Sequence, residues 1–210
     1  MTAEAARRVE LRLPLPAEEQ GRADFHALLG RLLQAAPDTR LLAAMAAADE
    51  IPPEGDADLA KAWANLAAAS SVMDPEAVRD EYAALFEGVG SAQVSIYSAF
   101  YTGATAIDHP RVRIHNDLAA LGLAPRDDVT EPEDHWAALF DVMRVLVAGG
   151  AGRAPAPLAE QRRFFQSHLE PGAAIFFRAL QAAPSANYYR QVAALGLAFT
   201  ALETESFHLE

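Results

Sequence analysis

The sequence contains no cysteine and a single lysine, Lys61. Without cysteine the chain has no disulfide bonds, no thiolate metal site and no cysteine nucleophile. With one lysine, a lysine-based phosphate site or Schiff base has only one donor available. No run of roughly 18 uncharged apolar residues occurs either, so we expect no membrane-spanning segment and no stable membrane insertion.

The balance of charge also excludes a class of partner. The 210 residues carry 29 acidic and 17 basic side chains, for a formal net charge of -12. Such a chain repels phosphate backbones, so we expect no binding of nucleic acid. The same field attracts cationic partners and raises their rate of encounter. Hydrophobic residues make up 51% and charged residues 22% of the chain, which is typical of a folded globule.

The N-terminal residues contain an arginine pair that an export signal would also carry. Arg7 and Arg8 are followed by Glu10, Arg12 and Pro14, which interrupt the apolar run that an export signal requires. We therefore expect a cytoplasmic protein. Apolar and polar residues alternate over part of this segment, so we interpret residues 1–20 as an N-terminal arm that is partly extended or disordered.

Beyond the arm, apolar residues recur every three or four positions, which predicts amphipathic helices. We predict an all-α, single-domain helical bundle over residues 21–210. Asp74 followed by Pro75 is typical of a helix start, and Thr130 with Glu133 suggests a capping box for a later helix. The segment 149–157 is rich in glycine, alanine and proline and is predicted to be a flexible connection. Helices are expected near 24–36, 38–48, 58–71, 75–87, 110–121, 130–148, 158–169, 172–182 and 185–203.

No pattern of catalytic residues is present. The sequence lacks a phosphate-binding loop, a dinucleotide-binding glycine pattern and the elbow of a serine hydrolase. Its six histidines include no pair four residues apart, as a helical zinc site requires. We therefore predict that the protein is not an enzyme and that it has no catalytic residues, no metal site and no cofactor of its own.

Two short motifs stand out against this background. Tyr82-Ala83-Ala84-Leu85-Phe86-Glu87-Gly88 places three large apolar or aromatic groups where a helix runs into a glycine-rich loop. Glu131-Pro132-Glu133-Asp134-His135-Trp136 gathers carboxylates and an imidazole at a predicted helix start. Apolar anchors and carboxylates together are suited to holding a peptide.

The two motifs belong to a longer series. It begins with Tyr82, Leu85 and Phe86, which precede Gly88-Val89-Gly90 and a loop that ends at Tyr97. Asp134-His135 comes next, and Phe164-Phe165 with His168-Leu169 comes last. In order and separation, this series resembles the TorD/DmsD family, the cytoplasmic maturation chaperones of twin-arginine-exported molybdoenzymes. The resemblance spans roughly residues 74–199.

The resemblance implies an all-helical fold without a catalytic centre. It implies a chaperone that binds the twin-arginine signal peptide of a molybdopterin oxidoreductase precursor, holds back its export and assists insertion of the client's molybdopterin guanine dinucleotide cofactor. The resemblance places signal-peptide recognition on the tyrosine-leucine-phenylalanine stretch and on the aspartate-histidine pair. The predicted signal-peptide-binding residues are Tyr82, Leu85, Phe86, Tyr97, Glu131, Asp134 and His135.

Physical chemistry allows this assignment and also a purely structural one. Glu131 and Asp134 could receive the two guanidinium groups of a leader, while the aromatic stretch receives its apolar part. Carboxylates at a helix start also serve as caps, and Leu85 and Phe86 also suit a core. We expect Asp134 and His135 to be exposed, so that alanine at either position weakens leader binding and leaves the melting temperature within a few degrees.

Two other functions remain open on the sequence. The chain could be a helical scaffold or assembly subunit of an oxidoreductase complex, or a guanine-nucleotide-binding switch, although no phosphate loop supports the latter. A scaffold would co-purify with the mature enzyme rather than with its precursor. Either a monomer or a homodimer is compatible with the sequence.

Overall fold

The structure is a computed structural model that describes residues 14–53, 55–87, 92–103, 109–124, 132–150 and 152–209. Within these ranges the fold is all-α, as predicted, and β-pairing is limited to two isolated bridges. A short π-helical turn, Ala83–Glu87, extends α4, and a 3₁₀ turn covers Ser98–Phe100. The α-helices are α1 (Ala17–Gln34), α2 (Thr39–Ala46), α3 (Ala57–Val72), α4 (Pro75–Tyr82), α5 (Pro110–Ala120), α6 (Trp136–Ala148), α7 (Leu158–His168), α8 (Glu170–Ala182) and α9 (Tyr188–Leu209).

Three helix pairings organise the bundle. Helix α1 packs along α6, and α9 packs between α3 and α8. Gly30 permits the close approach of α1 to α6, because a Cβ at this position would lie 3.3 Å from the carbonyl oxygen of Ala137. Farther along the same pair, the His26 and Phe140 rings lie 5.8 Å apart, so α1 and α6 run antiparallel. In the described part of the chain, no helix is both long and apolar enough to cross a bilayer.

Side-chain caps fix several helix starts. The Asp74 side chain accepts a hydrogen bond from the amide of Glu76 at the start of α4, which confirms the prediction for this helix. The start of α9 is capped from far along the chain. The buried Glu81 carboxylate accepts hydrogen bonds from the amides of Tyr188, at 3.0 Å, and Tyr189, at 2.7 Å. This long-range cap joins α4 to α9.

Two predicted helix starts are wrong, and α9 runs to Leu209 rather than ending near 203. Helix α1 begins at Ala17, inside the predicted arm, and Glu18 lies in its first turn, where a carboxylate is stabilised by the helix dipole. The other predicted boundary is that of α6, which begins at Trp136 rather than near 130. Its N-cap is His135, whose Nδ1 accepts a hydrogen bond from the Ala137 amide at 3.1 Å. Glu133 therefore precedes the helix and cannot close a capping box, while Thr130 lies outside the described residues.

The connection 149–157 contains specific hydrogen bonds among its described residues. The amides and carbonyls of Gly150 and Arg153 bond each other at 3.0 and 2.7 Å, and the Ala156 amide donates to the Leu146 carbonyl at 2.8 Å. Gly149 has φ +71°, and a Cβ there would clash with the backbone of Arg153. The flexibility of this connection stays a prediction.

The bundle also encloses an ionic cluster. The Glu203 carboxylate of α9 accepts hydrogen bonds from Arg22 Nε at 2.7 Å and Arg22 Nη2 at 2.9 Å, and lies 3.1 Å from His26 Nε2. Burial alone would raise the pKa of Glu203, but its bonds to His26 and Arg22 prevail and lower the pKa to about 2. Burial lowers the pKa of His26, because Glu203 only partly offsets the cost of desolvation. The cluster ties α1 to α9.

Candidate functional site

One extended segment, residues 94–98, joins the two sequence motifs. The Val94 amide donates a hydrogen bond to the Leu85 carbonyl at 3.0 Å, in the first motif. Two residues later, the Ile96 carbonyl accepts a hydrogen bond from the Trp136 amide at 3.0 Å, in the second motif. Two residues of extended chain span about 7 Å. The motifs, fifty residues apart in sequence, are therefore neighbours in the fold.

The side chains of the first motif are mostly internal. Tyr82 and Leu85 are buried, and the Tyr82 hydroxyl donates a hydrogen bond to the Leu33 carbonyl at 3.0 Å, near the end of α1. Phe86 is half-buried and packs against the rings of Tyr82, at 4.9 Å, and Tyr189, at 5.5 Å. Their place in the core means that these residues hold α4 against α1 and α9. Of the three predicted binding residues in this motif, Phe86 is the one whose side chain remains partly open to a ligand.

The second motif is also buried, which corrects the expectation of exposed side chains at Asp134 and His135. Asp134 is 1% exposed, and His135 is buried as well. Both lie in the turn before α6, beneath the segment that carries Tyr97, since the Ser98 amide donates to the Asp134 carbonyl at 2.8 Å. The rings of Tyr97 and His135 meet edge to face at 5.7 Å, and Tyr97 remains 39% exposed. Glu131 lies outside the described residues.

Asp134 is already engaged by a cation of the same chain. Arg111, in the first turn of α5, donates from Nε to Asp134 Oδ1 at 3.0 Å. The other carboxylate oxygen, Oδ2, is buried and has no hydrogen-bond partner within the described ranges. Beside this pair, Glu133 lies 2.8 Å from His115 Nδ1. The turn thus offers a buried, half-satisfied carboxylate and a second carboxylate nearer to solvent.

A groove lies between α1, α5 and α6 beside this turn; we call it the α1–α6 groove. Its volume is about 520 Å³. Gln34 and Glu133 both line it, and the antiparallel packing of α1 and α6 places them at the same end. The Gln34 carbonyl accepts a hydrogen bond from Tyr82 at 3.1 Å, and Glu133 precedes Asp134 in the chain. The neighbourhoods of the two motifs therefore meet at one end of this groove. Its apolar lining includes Ala27, Leu118, Leu123, Ala137, Ala138, Val142 and Val145.

The structure adds residues that the sequence motifs do not include. Phe100, in the 3₁₀ turn, is 75% exposed although it is aromatic, and Val112 on α5 is also exposed. The 3₁₀ turn packs against α5, so both residues lie on elements that adjoin the Arg111–Asp134 pair. The aromatic density of residues 97–101 is the one sequence signal that could have pointed to Phe100. No local pattern could have indicated Arg111, which lies 23 residues from its partner.

A larger groove lies elsewhere, between α3 and α8 on the outer face of α9; we call it the α9 groove. Its volume is about 860 Å³, and its floor includes Leu197, Ala198 and Ala201. Among the described residues, none of those predicted to bind a signal peptide lines it. We favour the smaller groove as the candidate site, because it adjoins both motifs. In the described parts of the chain, no cluster of side chains is arranged to hold a metal ion.

Comparison with known proteins agrees with this architecture. The family model of the nitrate reductase delta subunit matches residues 52–178. A crystal structure of a protein from Archaeoglobus fulgidus, described as a redox enzyme maturation protein, superimposes with a TM-score of 0.54 at 18% sequence identity. The alignment covers 92% of this chain and 99% of that chain. No curated protein matches the sequence.

Proposed function

The chain belongs to the nitrate reductase delta subunit family of TorD-like redox enzyme maturation proteins, and from that premise we propose that it is a cytoplasmic chaperone for one molybdopterin oxidoreductase precursor. In this proposal it binds the twin-arginine signal peptide of the precursor and assists loading of the client's molybdopterin guanine dinucleotide cofactor before export. The chaperone itself carries out no chemistry on the client.

The observation that supports leader binding is the α1–α6 groove, which has an apolar lining and the Glu133 carboxylate at the end where the motifs meet, next to Asp134 in the chain. A twin-arginine leader carries two guanidinium groups followed by an apolar, helix-prone stretch. We propose that the guanidinium groups bind Glu133 and Asp134, and that the apolar stretch lies along Leu118, Ala138 and Val142. The net charge of -12 accelerates the approach of such a basic peptide.

The two parts of the leader contribute differently to the complex. An arginine about 4 Å from a carboxylate near the protein surface gains roughly 1 to 4 kcal/mol. A well-buried apolar anchor contributes about 2 kcal/mol or more, and several such anchors fit along the groove. Affinity therefore rests mainly on the apolar stretch, whereas Glu133 and Asp134 fix the register and select for arginine.

Filling the groove tests the proposal. Ala138 is half-buried and lines the α1–α6 groove, so Ala138→Trp should occupy the space that the leader needs. We expect isothermal titration with the cognate leader peptide to show binding at least about tenfold weaker, a loss of about 1.4 kcal/mol. Ala201→Trp is the matched control, because it places the same ring in the α9 groove. It should bind the leader like the wild type.

The reverse result, in which only Ala201→Trp weakens binding, would move the site to the α9 groove. A wild-type protein that binds no candidate leader would contradict leader recognition altogether. Co-purification separates the proposed function from a scaffold role. A chaperone should be recovered with the full-length precursor and lost from a precursor without its leader, whereas a scaffold subunit should be recovered with the mature enzyme in fixed ratio.

A further inference from the structure

Arg111 and Asp134 differ in their exposure to solvent, and their contact leaves one carboxylate oxygen without a hydrogen bond among the described residues. The arginine side chain is 50% exposed, whereas the aspartate is 1% exposed. The pair is joined through a single hydrogen bond, from Nε to Oδ1 at 3.0 Å, and Oδ2 remains without a partner in the described parts of the chain. A carboxylate can accept two parallel bonds from one guanidinium group. The contact thus uses one of the two carboxylate oxygens of Asp134.

We propose that Arg111 is an internal stand-in for a leader arginine: its guanidinium group binds Asp134 in the free protein and is displaced when the leader binds. This inference rests on the proposed function and assigns to the same site the residue that controls access to it. The exchange replaces one guanidinium group by another, so the buried carboxylate is never left without a cation. A leader arginine that approaches end-on can bond both oxygens and so gains the second hydrogen bond.

The local structure allows the Arg111 side chain to leave without disturbing its helix. Pro110 occupies the first turn of α5, and the Arg111 amide donates to Nδ1 of the capping His109 at 3.2 Å. The backbone of Arg111 is thus fixed independently of its side chain. Asp134 is likewise fixed by its main chain, because its carbonyl accepts from the Ser98 amide at 2.8 Å. Displacement requires a change of rotamer at one half-exposed side chain.

The exchange also explains how the site could discriminate between basic residues. A leader lysine presents a compact ammonium group that cannot form the two-pronged contact. Against Arg111, a lysine therefore gains no hydrogen bond that the stand-in does not already make. Competition with an internal arginine selects for an external arginine.

Removal of the stand-in tests this inference. We expect Arg111→Met to bind the cognate leader about tenfold more tightly than the wild type in isothermal titration, a gain of about 1.4 kcal/mol. We also expect a smaller preference for a paired-arginine leader over its paired-lysine counterpart. Arg163→Met is the matched control. Arg163 is 53% exposed and bonds Asp117 through Nη1 at 3.1 Å, so its replacement removes the same charge from an ion pair outside the site and should change affinity less than twofold.

A second measurement uses the wild type and does not depend on the folding of a variant. The ¹⁵N signal of Arg111 Nε should move toward that of a solvent-exposed guanidinium group as the leader is added. Leader binding with an unchanged Nε signal, or weaker binding by Arg111→Met, would overturn the inference and leave the proposed function intact. Failure of both wild type and Arg111→Met to bind would overturn both.

Discussion

Acidification should destabilise the protein through the carboxylate of Glu203. This side chain is 2% exposed and accepts hydrogen bonds from Arg22 and lies beside His26. Its pKa is lowered from 4.5 to about 2, because its bonds to His26 and Arg22 outweigh the cost of burial. A carboxyl group with a lowered folded-state pKa stabilises the native protein above its unfolded-state pKa. That stabilisation is lost as the pH falls from about 4.5 towards 2.

The size of the effect follows from the shift. A difference of about 2.5 pKa units corresponds to about 3 kcal/mol of stability, of which about 2 kcal/mol should be lost by pH 3. Urea denaturation followed by circular dichroism at 222 nm, at pH values from 7 to 3, measures this loss. Glu203→Gln removes the titrating group, so its free energy of unfolding should fall less steeply between pH 4.5 and 3 than that of the wild type.

Other acid-sensitive groups must be separated from Glu203. Burial lowers the pKa of His26 and of His168, and this destabilises the native state as the pH falls below 6.5, ahead of the carboxylate. The matched control is Glu205→Gln, which removes an exposed carboxylate two residues along α9 and should follow the wild-type curve. Parallel curves for wild type and Glu203→Gln below pH 4.5 would refute the assigned role of the cluster.

Two further predictions concern the residues around the motifs. Asp134→Ala should lower the free energy of unfolding by about 2 kcal/mol, and the melting temperature by about 4–8 °C, because it removes the buried partner of Arg111. A calorimetric shift below about 1 °C would instead indicate that Asp134 is an exposed residue without a structural role. Glu81→Ala should cost about 2 kcal/mol or more in urea denaturation, because it leaves the amides at the start of α9 without their acceptor. Glu76→Ala, an exposed change on the same helix, is its control, and equal losses for both would contradict the capping role.

The fold was predictable because most of its signals are local. Apolar spacing and an aspartate-proline start define α4 within a few residues, since a cap and the face it supports lie in one turn. The start of α6 shows where local signals become ambiguous. Thr130 and Glu133 fit a capping box as sequence, but the chain turns at residues 132–135 and His135 supplies the cap instead.

The site was predictable in part. The sequence identified the two motifs that meet at one end of the α1–α6 groove, yet it did not reveal that most of their side chains are buried. Burial depends on partners far along the chain. Tyr82 bonds the carbonyl of Leu33, 49 residues away, and Asp134 bonds Arg111, 23 residues away. Periodicity contains no information about such pairs, so a motif can be located from sequence without its exposure being known.

The burial of the motifs bears on how the proposed selection of a client would work in this chain. The hydrogen bonds that join the motifs, from Val94 to Leu85 and from Trp136 to Ile96, use main-chain atoms only. Together with the buried Val94 and Ile96 side chains they hold the segment in place, so substitutions at exposed positions of the segment need not unfold it. Tyr97 and Phe100 are the exposed aromatic side chains on this framework, and Arg111 bonds the Asp134 carboxylate in the turn that the segment contacts. Under the proposed function, we therefore expect selectivity for one leader to reside in Tyr97, Phe100 and Arg111, while Tyr82 and Leu85 keep the framework packed.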